Sequence, residues 1–119
     1  MIYYLHKITI IGVVPSTDSE GILQDIHWAC GNIGYFPSYA IGSAIAAQIY
    51  YHMESIMPFY QYLKEGNLVP IHEYLKEHIH KYGATKNTNE ILMDMMKEPL
   101  NPDYYVRYLT EKYTKLYDL

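Results

Sequence analysis

The segment PSYAIGSAIAAQIYYHMESIM, residues 37–57, is the longest helical pattern in this chain of 119 residues. Its proline suits the first turn of a helix, where the missing N–H has no helical partner. Large apolar side chains then recur at four- and three-residue steps, at Ile41, Ile45, Ile49, Met53 and Ile56. This pattern predicts a helix over 37–57 that buries the large apolar stripe, with small residues elsewhere that allow neighbouring helices to approach closely.

The same segment needs a test as a membrane span, because no formally charged residue lies between Asp25 and Glu54. An interval of that length could cross a bilayer. Glycines and a proline interrupt its first part, however, and the remainder carries Ser43 and Gln48 without flanking clusters of lysine or arginine. We therefore predict a buried helix of a soluble protein and no membrane partner.

Shorter helical patterns lie on both sides of this segment. They cover about 20–30, 58–66, 70–83, 88 to at least 96, and 101 to the end. The predicted side-chain caps are Asp18 or Ser19, Asn87 or Thr88, and Asn101. Because no pair of strands with a hairpin signal is present, we predict an all-α fold of five or six helices.

The composition excludes several classes of protein. A mass of 14.0 kDa permits one domain with its own core, and the net charge of −4 argues against a nucleic-acid partner. Cys30 is the single cysteine, which excludes an internal disulfide and a cysteine-based zinc site. Since no secretory signal is recognisable, we expect a cytoplasmic protein.

The usual catalytic and metal motifs fail on spacing. His72-Glu73 resembles the start of HExxH, but Lys76 occupies the second ligand position and His78 falls six residues after His72, on another helix face. We expect Cys30 to be a small buried residue rather than a nucleophile. No glycine-rich phosphate loop follows a strand pattern.

Polar and aromatic side chains are concentrated in one stretch of the chain. They are Gln24, Asp25, His27, Trp28, Tyr35 and Tyr39. Such a group could line a peptide-binding cleft, since a histidine can donate to a carbonyl and a tyrosine can stabilise an oxyanion. The alternative is a buried polar network that joins two helices, and composition alone favours this second interpretation.

Two motifs in this stretch carry a resemblance to a known family. They are Gly21-x-x-Gln24-Asp25-x-His27-Trp28 and Gly34-Tyr35-Phe36-Pro37-Ser38-Tyr39. Both resemble the carboxypeptidase Taq family, and the likeness continues to the end of the chain through residues 46–48, 78–80, 98–100 and 107–109. It covers about 12–119 and concerns only the C-terminal portion of that much longer family.

The resemblance implies a C-terminal fragment of a helical, zincin-like metallopeptidase that removes residues from peptide C-termini. In the full-length family zinc is held by HExxH and a later glutamate, all upstream of this portion. We therefore expect no cofactor in this chain, no activity of the chain alone, and a peptide substrate only when the missing N-terminal portion completes it. The alternative is a non-catalytic helical module for interaction or oligomerisation.

The resemblance also implies roles for individual residues. His27 is expected to face the substrate groove and to hydrogen-bond a peptide carbonyl, and Tyr35 or Tyr39 to stabilise the tetrahedral intermediate. Gln24 and Asp25 are expected to orient His27. Trp28 is expected to pack, and Arg107 does not inherit the family's contact with the substrate carboxylate.

Residues 1–11 depart from the family pattern, so the predicted domain is 12–119 with an atypical N-terminal segment. We expect a truncated, frameshifted or internally started reading frame. A domain cut from a larger fold exposes an apolar face, which predicts a homo-oligomer.

Overall fold

The computed structural model describes residues 14–118. These residues form helices joined by loops and turns, without a β-strand. The α-helices are α1 (Ile26–Ala29), α2 (Pro37–Ile56), α3 (Phe59–Glu65), α4 (Val69–His78), α5 (Thr88–Met96) and α6 (Asp103–Tyr117). Single 3₁₀ turns cover Asp18–Glu20, Ile22–Gln24 and His80–Tyr82. The predicted all-α class is confirmed, whereas the predicted boundary after residue 11 lies outside the described residues.

The internal contacts divide the chain into two units, Met1–Ala40 and Ile41–Leu119. In the described part of the first unit, the predicted helix over 20–30 is wrong. Two 3₁₀ turns precede the short helix α1, and the Thr17 hydroxyl accepts from the Glu20 N–H in place of the predicted caps. The chain breaks because Gly21 leaves the helical conformation and the Asp25 carboxylate accepts the His27 N–H.

Helix α2 begins at Pro37 as predicted, but its buried face is not the isoleucine stripe. Ala44, Ala47, Gln48 and Tyr51 are buried, at the i, i+3, i+4, i+7 spacing of one helix face. Ile41 is 52% exposed and Ile56 is 51% exposed, whereas Met53 is buried. The prediction failed because the buried face is determined by tertiary contacts: Gln48 bonds to Pro99 and Asn101, and Tyr51 bonds to Glu111.

Local signals place most ends of the other helices. Gly66 ends α3 in the left-handed conformation, with φ of 68°, and Asn87 caps α5 in a reciprocal capping box with Glu90. Helix α4 ends at His78, earlier than the predicted stop at Gly83, because the chain turns at Ile79 into a 3₁₀ turn. Asn101, the predicted cap of α6, is not at the N-cap position, which Pro102 occupies without a side-chain cap; the Asn101 side chain accepts from the Asp103 N–H at 3.0 Å.

A buried amide joins α2 to the segment before α6. The side chain of Gln48 donates to the Pro99 carbonyl at 2.9 Å and accepts from the Asn101 N–H at 3.0 Å. Leu92 and Met53 are the other large side chains buried completely or nearly so. Among residues 14–118, no helix has the length and apolar character needed to span a membrane.

Candidate functional site

His27 lies at the centre of a hydrogen-bonded chain in the first unit. Its Nδ1 is 3.0 Å from Oδ1 of Asp25, and the same carboxylate oxygen accepts the His27 backbone N–H at 3.0 Å. The Asp25 side chain is 3% exposed and the His27 side chain is 20% exposed. Asp25 therefore fixes both the backbone and the ring of His27.

The second ring nitrogen of His27 contacts Tyr39. The distance from Nε2 to the Tyr39 hydroxyl is 3.3 Å. Tyr35 lies beside this pair, with its ring centroid 5.2 Å from that of His27 and 5.8 Å from that of Tyr39. Phe36 completes the aromatic group, and its ring is 6.1 Å from that of Tyr39. Asp25, His27, Tyr35 and Tyr39 are thus brought together.

Gln24 does not join this cluster. Its side-chain amide donates to the Ser19 carbonyl at 2.6 Å, and the residue is exposed. The expected contact with His27 is therefore made by Asp25 and not by Gln24. The side chain of Trp28 lies outside the described part of the structure. Cys30 is exposed, contrary to expectation, because α1 ends at Ala29 and Cys30 lies in the following turn.

The second unit contains histidines that belong to a different environment. His52 Nε2 is 2.8 Å from the Tyr74 hydroxyl, and the Tyr74 ring packs on His78 at 4.3 Å between centroids. Burial, and then the charge of His78, lower the pKa of His52. The 3₁₀ turn after α4 brings the His80 ring within 6.2 Å of the His72 ring.

A charged cluster on α2 and α6 was not predicted from the sequence. Tyr51 donates to Glu111 at 2.6 Å, and Arg107 Nε donates to the other oxygen of Glu111 at 2.7 Å. Burial and the Glu111 hydrogen bond raise the pKa of Tyr51 to about 12, whereas the hydrogen bonds from Tyr51 and Arg107 lower the pKa of Glu111. The i,i+4 spacing of Arg107 and Glu111 could have indicated this ion pair. Lys115 has the same spacing on the other side of Glu111, so spacing alone did not identify the partner of Glu111.

The described residues do not fit a metal. Between residues 14 and 118, no group of three or more histidine, cysteine, aspartate or glutamate side chains could hold an ion. The His27 cluster can form hydrogen bonds with a ligand, because its imidazole and phenol groups both donate and accept hydrogen bonds and lie at a partly exposed surface.

A sequence model of the carboxypeptidase Taq (M32) metallopeptidase family matches residues 5–113. The chain belongs to this family. Carboxypeptidase Taq relatives include thermostable carboxypeptidase 1 of Pyrococcus furiosus, which is 43% identical over 105 residues, covering 87% of this chain and 21% of the relative. Carboxypeptidase 1 of Bacillus subtilis is 45% identical over 108 residues, covering 90% of this chain and 22% of the relative.

Solved structures of the carboxypeptidase Taq family share the fold. The apo-Mg carboxypeptidase of Pyrococcus furiosus superposes with a TM-score of 0.82 at 40% identity, over 94% of this chain and 23% of that chain. This chain therefore spans about a fifth of the length of its carboxypeptidase Taq relatives.

Proposed function

We propose that this chain supplies the peptide-binding portion of a metallocarboxypeptidase and that His27 and Tyr39 contact the carbonyl of the scissile bond. The observation that carries the proposal is the Asp25–His27–Tyr39 chain of hydrogen bonds, with one imidazole nitrogen 3.3 Å from a phenol oxygen. Membership of a metallopeptidase family and the likeness to named carboxypeptidases support the reaction class.

Tyr39 is the better candidate for stabilising the oxyanion that forms during peptide hydrolysis. Its hydroxyl contacts His27 Nε2, whereas Tyr35 contacts the same imidazole through its ring. A donor aimed at a developing oxyanion contributes roughly 100- to 1000-fold to kcat. Tyr35 then provides an aromatic wall that holds His27 in place.

Zinc and the general base of the full-length family lie upstream of this portion, as the resemblance implies, and residues 14–118 contain no group of three or more possible metal ligands. We propose that zinc and the general base belong to the remaining portion, as the resemblance implies, and that the chain alone neither turns over peptides nor binds stoichiometric zinc. Equilibrium dialysis against zinc and a carboxypeptidase assay test this directly. One tightly bound zinc with peptide turnover would contradict it.

A chimera tests the residue roles. In it, this chain replaces the matching C-terminal segment of Bacillus subtilis carboxypeptidase 1, to which it is 45% identical. We expect Tyr39→Phe to lower kcat roughly 100- to 1000-fold because it removes one oxyanion donor. Tyr35→Phe is the matched control, since it also removes a single hydroxyl from an exposed tyrosine, and we expect it to change kcat little. Equal effects of the two substitutions would refute the assignment to Tyr39.

A second candidate, a helical interaction module that self-associates, is favoured by the exposed apolar side chains of the second unit. They include Ile41, Ile56, Leu68, Val69, Val106 and Leu116. Exposed apolar side chains promote association, so this candidate predicts a homo-oligomer. Sedimentation velocity over a range of concentrations tests the association, and a chain that stays monomeric argues against the module. Activity restored to a separately expressed N-terminal portion by this chain would favour the carboxypeptidase fragment over the module.

A further inference from the structure

Phe36 places an apolar ring beside the two side chains proposed to contact the scissile carbonyl. Its ring centroid lies 6.4 Å from that of His27 and 6.1 Å from that of Tyr39. The Tyr35 ring lies 5.2 Å from that of His27 and 5.8 Å from that of Tyr39. Two further aromatic rings therefore lie against the His27–Tyr39 pair.

The surface that these rings present to a ligand is aromatic and carries little exposed charge. Tyr35 is 52% exposed, Phe36 is 47% exposed and Tyr39 is 57% exposed, whereas the side chain of Asp25 is 3% exposed. An aromatic side chain of a ligand gains from covering such rings, through both buried apolar area and ring packing. A basic side chain gains less, because the buried Asp25 carboxylate is not accessible to pair with it.

The covalent geometry of a peptide selects which substrate residue these rings would contact. The side chain of the residue that supplies a carbonyl begins two bonds from the carbonyl carbon, and that of the following residue begins three bonds from it. Aromatic pairs pack with ring centroids roughly 4.5–7 Å apart. A ring on the nearer side chain can therefore pack on Phe36 while the carbonyl of the same residue contacts Tyr39.

We propose that Phe36 and Tyr35 form a binding site for an aromatic side chain, that of the substrate residue whose carbonyl is cleaved. Phe36 is the specificity-determining residue of this site, because its ring has no polar atom and contributes contact area alone. The position within the substrate rests on the proposed function, whereas the preference for an aromatic side chain rests on the rings themselves.

The test is the binding of blocked single amino acids to the whole chain, followed by NMR titration. The probes are N-acetylphenylalaninamide, N-acetylalaninamide and N-acetyllysinamide, which differ only in their side chains. We expect the phenylalanine compound to bind at least about tenfold more tightly than the alanine compound, as apolar contacts discriminate in other sites, and to shift the signals of Tyr35 and Phe36. Equal affinities for these two compounds, or tightest binding of the lysine compound, would overturn the proposal.

Two substitutions at one position examine the contribution of Phe36. We expect Phe36→Ala to remove most of the preference for the phenylalanine compound, and Phe36→Leu to keep part of it because leucine keeps the apolar bulk. Tyr60→Ala is the matched control, since it truncates a ring that is 58% exposed in the second unit, and it should leave the preference unchanged. A preference that survives intact in Phe36→Ala would refute the assignment to Phe36.

The binding experiment needs neither metal nor turnover, so its outcome is separate from that of the proposed function. Selective binding by the chain together with an inactive chimera would refute the proposed function and leave the aromatic site in place. An active chimera with the same kcat/KM for substrates that carry phenylalanine or alanine at the cleaved carbonyl would refute the site and leave the proposed function in place.

Discussion

At the scale of residues, Gln48 and His27 show how one polar side chain can fix local structure. The completely buried Gln48 amide bonds to the backbone of both Pro99 and Asn101. His27 is fixed in the same way by Asp25, at both its ring and its backbone. Buried backbone groups without partners are costly, so these side chains are sensitive positions.

We predict that Gln48→Met lowers the free energy of unfolding by about 1–3 kcal/mol, because it removes the hydrogen bonds to the Pro99 carbonyl and from the Asn101 N–H. Urea unfolding measures the change. Gln61→Met is the matched control: Gln61 bonds only Glu65 on the exposed face of α3, and we expect a change within about 0.5 kcal/mol. Equal losses in the two variants would contradict the role given to Gln48.

A second residue-scale prediction concerns pH. Burial lowers the pKa of His52 below its ordinary 6.5, so below that pH the unfolded chain binds a proton more readily than the folded one. Stability is therefore retained above pH 6.5 and falls as the pH drops toward the lowered pKa. Urea midpoints at a series of pH values should show this slope, and His52→Asn should reduce it. His72→Asn, on the exposed face of α4, should leave it unchanged.

At the scale of elements, local sequence signals predict most of the helix ends. They do not predict which face of a helix is buried. Pro37, Gly66 and Asn87 carry their own conformational preferences, and the sequence located the helix ends there. The buried face of α2 depends on which neighbouring segment packs against it, so the spacing of the isoleucines did not predict which residues are buried. The break before α1 escaped prediction because it depends on the Asp25 side chain competing with helix formation.

The two glycines Gly42 and Gly66 give opposite predictions for the same substitution. Gly42 lies inside α2 with open space where the added methyl group would lie, so Gly42→Ala should stabilise the chain by about 0.5–1 kcal/mol. Gly66 has φ of 68°, and Gly66→Ala should destabilise it by about 1 kcal/mol. Thermal unfolding of both variants checks this. Stabilisation by Gly66→Ala would contradict the left-handed end of α3.

At the scale of the whole molecule, the chain matches about a fifth of each carboxypeptidase relative while keeping the family's fold. The sequence motifs located the cluster of Asp25, His27, Tyr35 and Tyr39, because the resemblance pointed to them. They could not give the 3.3 Å contact between His27 Nε2 and the Tyr39 hydroxyl, because it depends on how the chain between α1 and α2 folds. They also included Gln24, whose amide donates to the Ser19 carbonyl and not to His27.

The most direct test is the carboxypeptidase activity of the unmodified chimera with Bacillus subtilis carboxypeptidase 1. If this chain carries the groove portion of a metallocarboxypeptidase, the metal-loaded chimera should retain kcat/KM within about tenfold of the relative, a loss of about 1.4 kcal/mol or less. A folded, metal-loaded chimera that neither binds nor cleaves peptide would contradict the account.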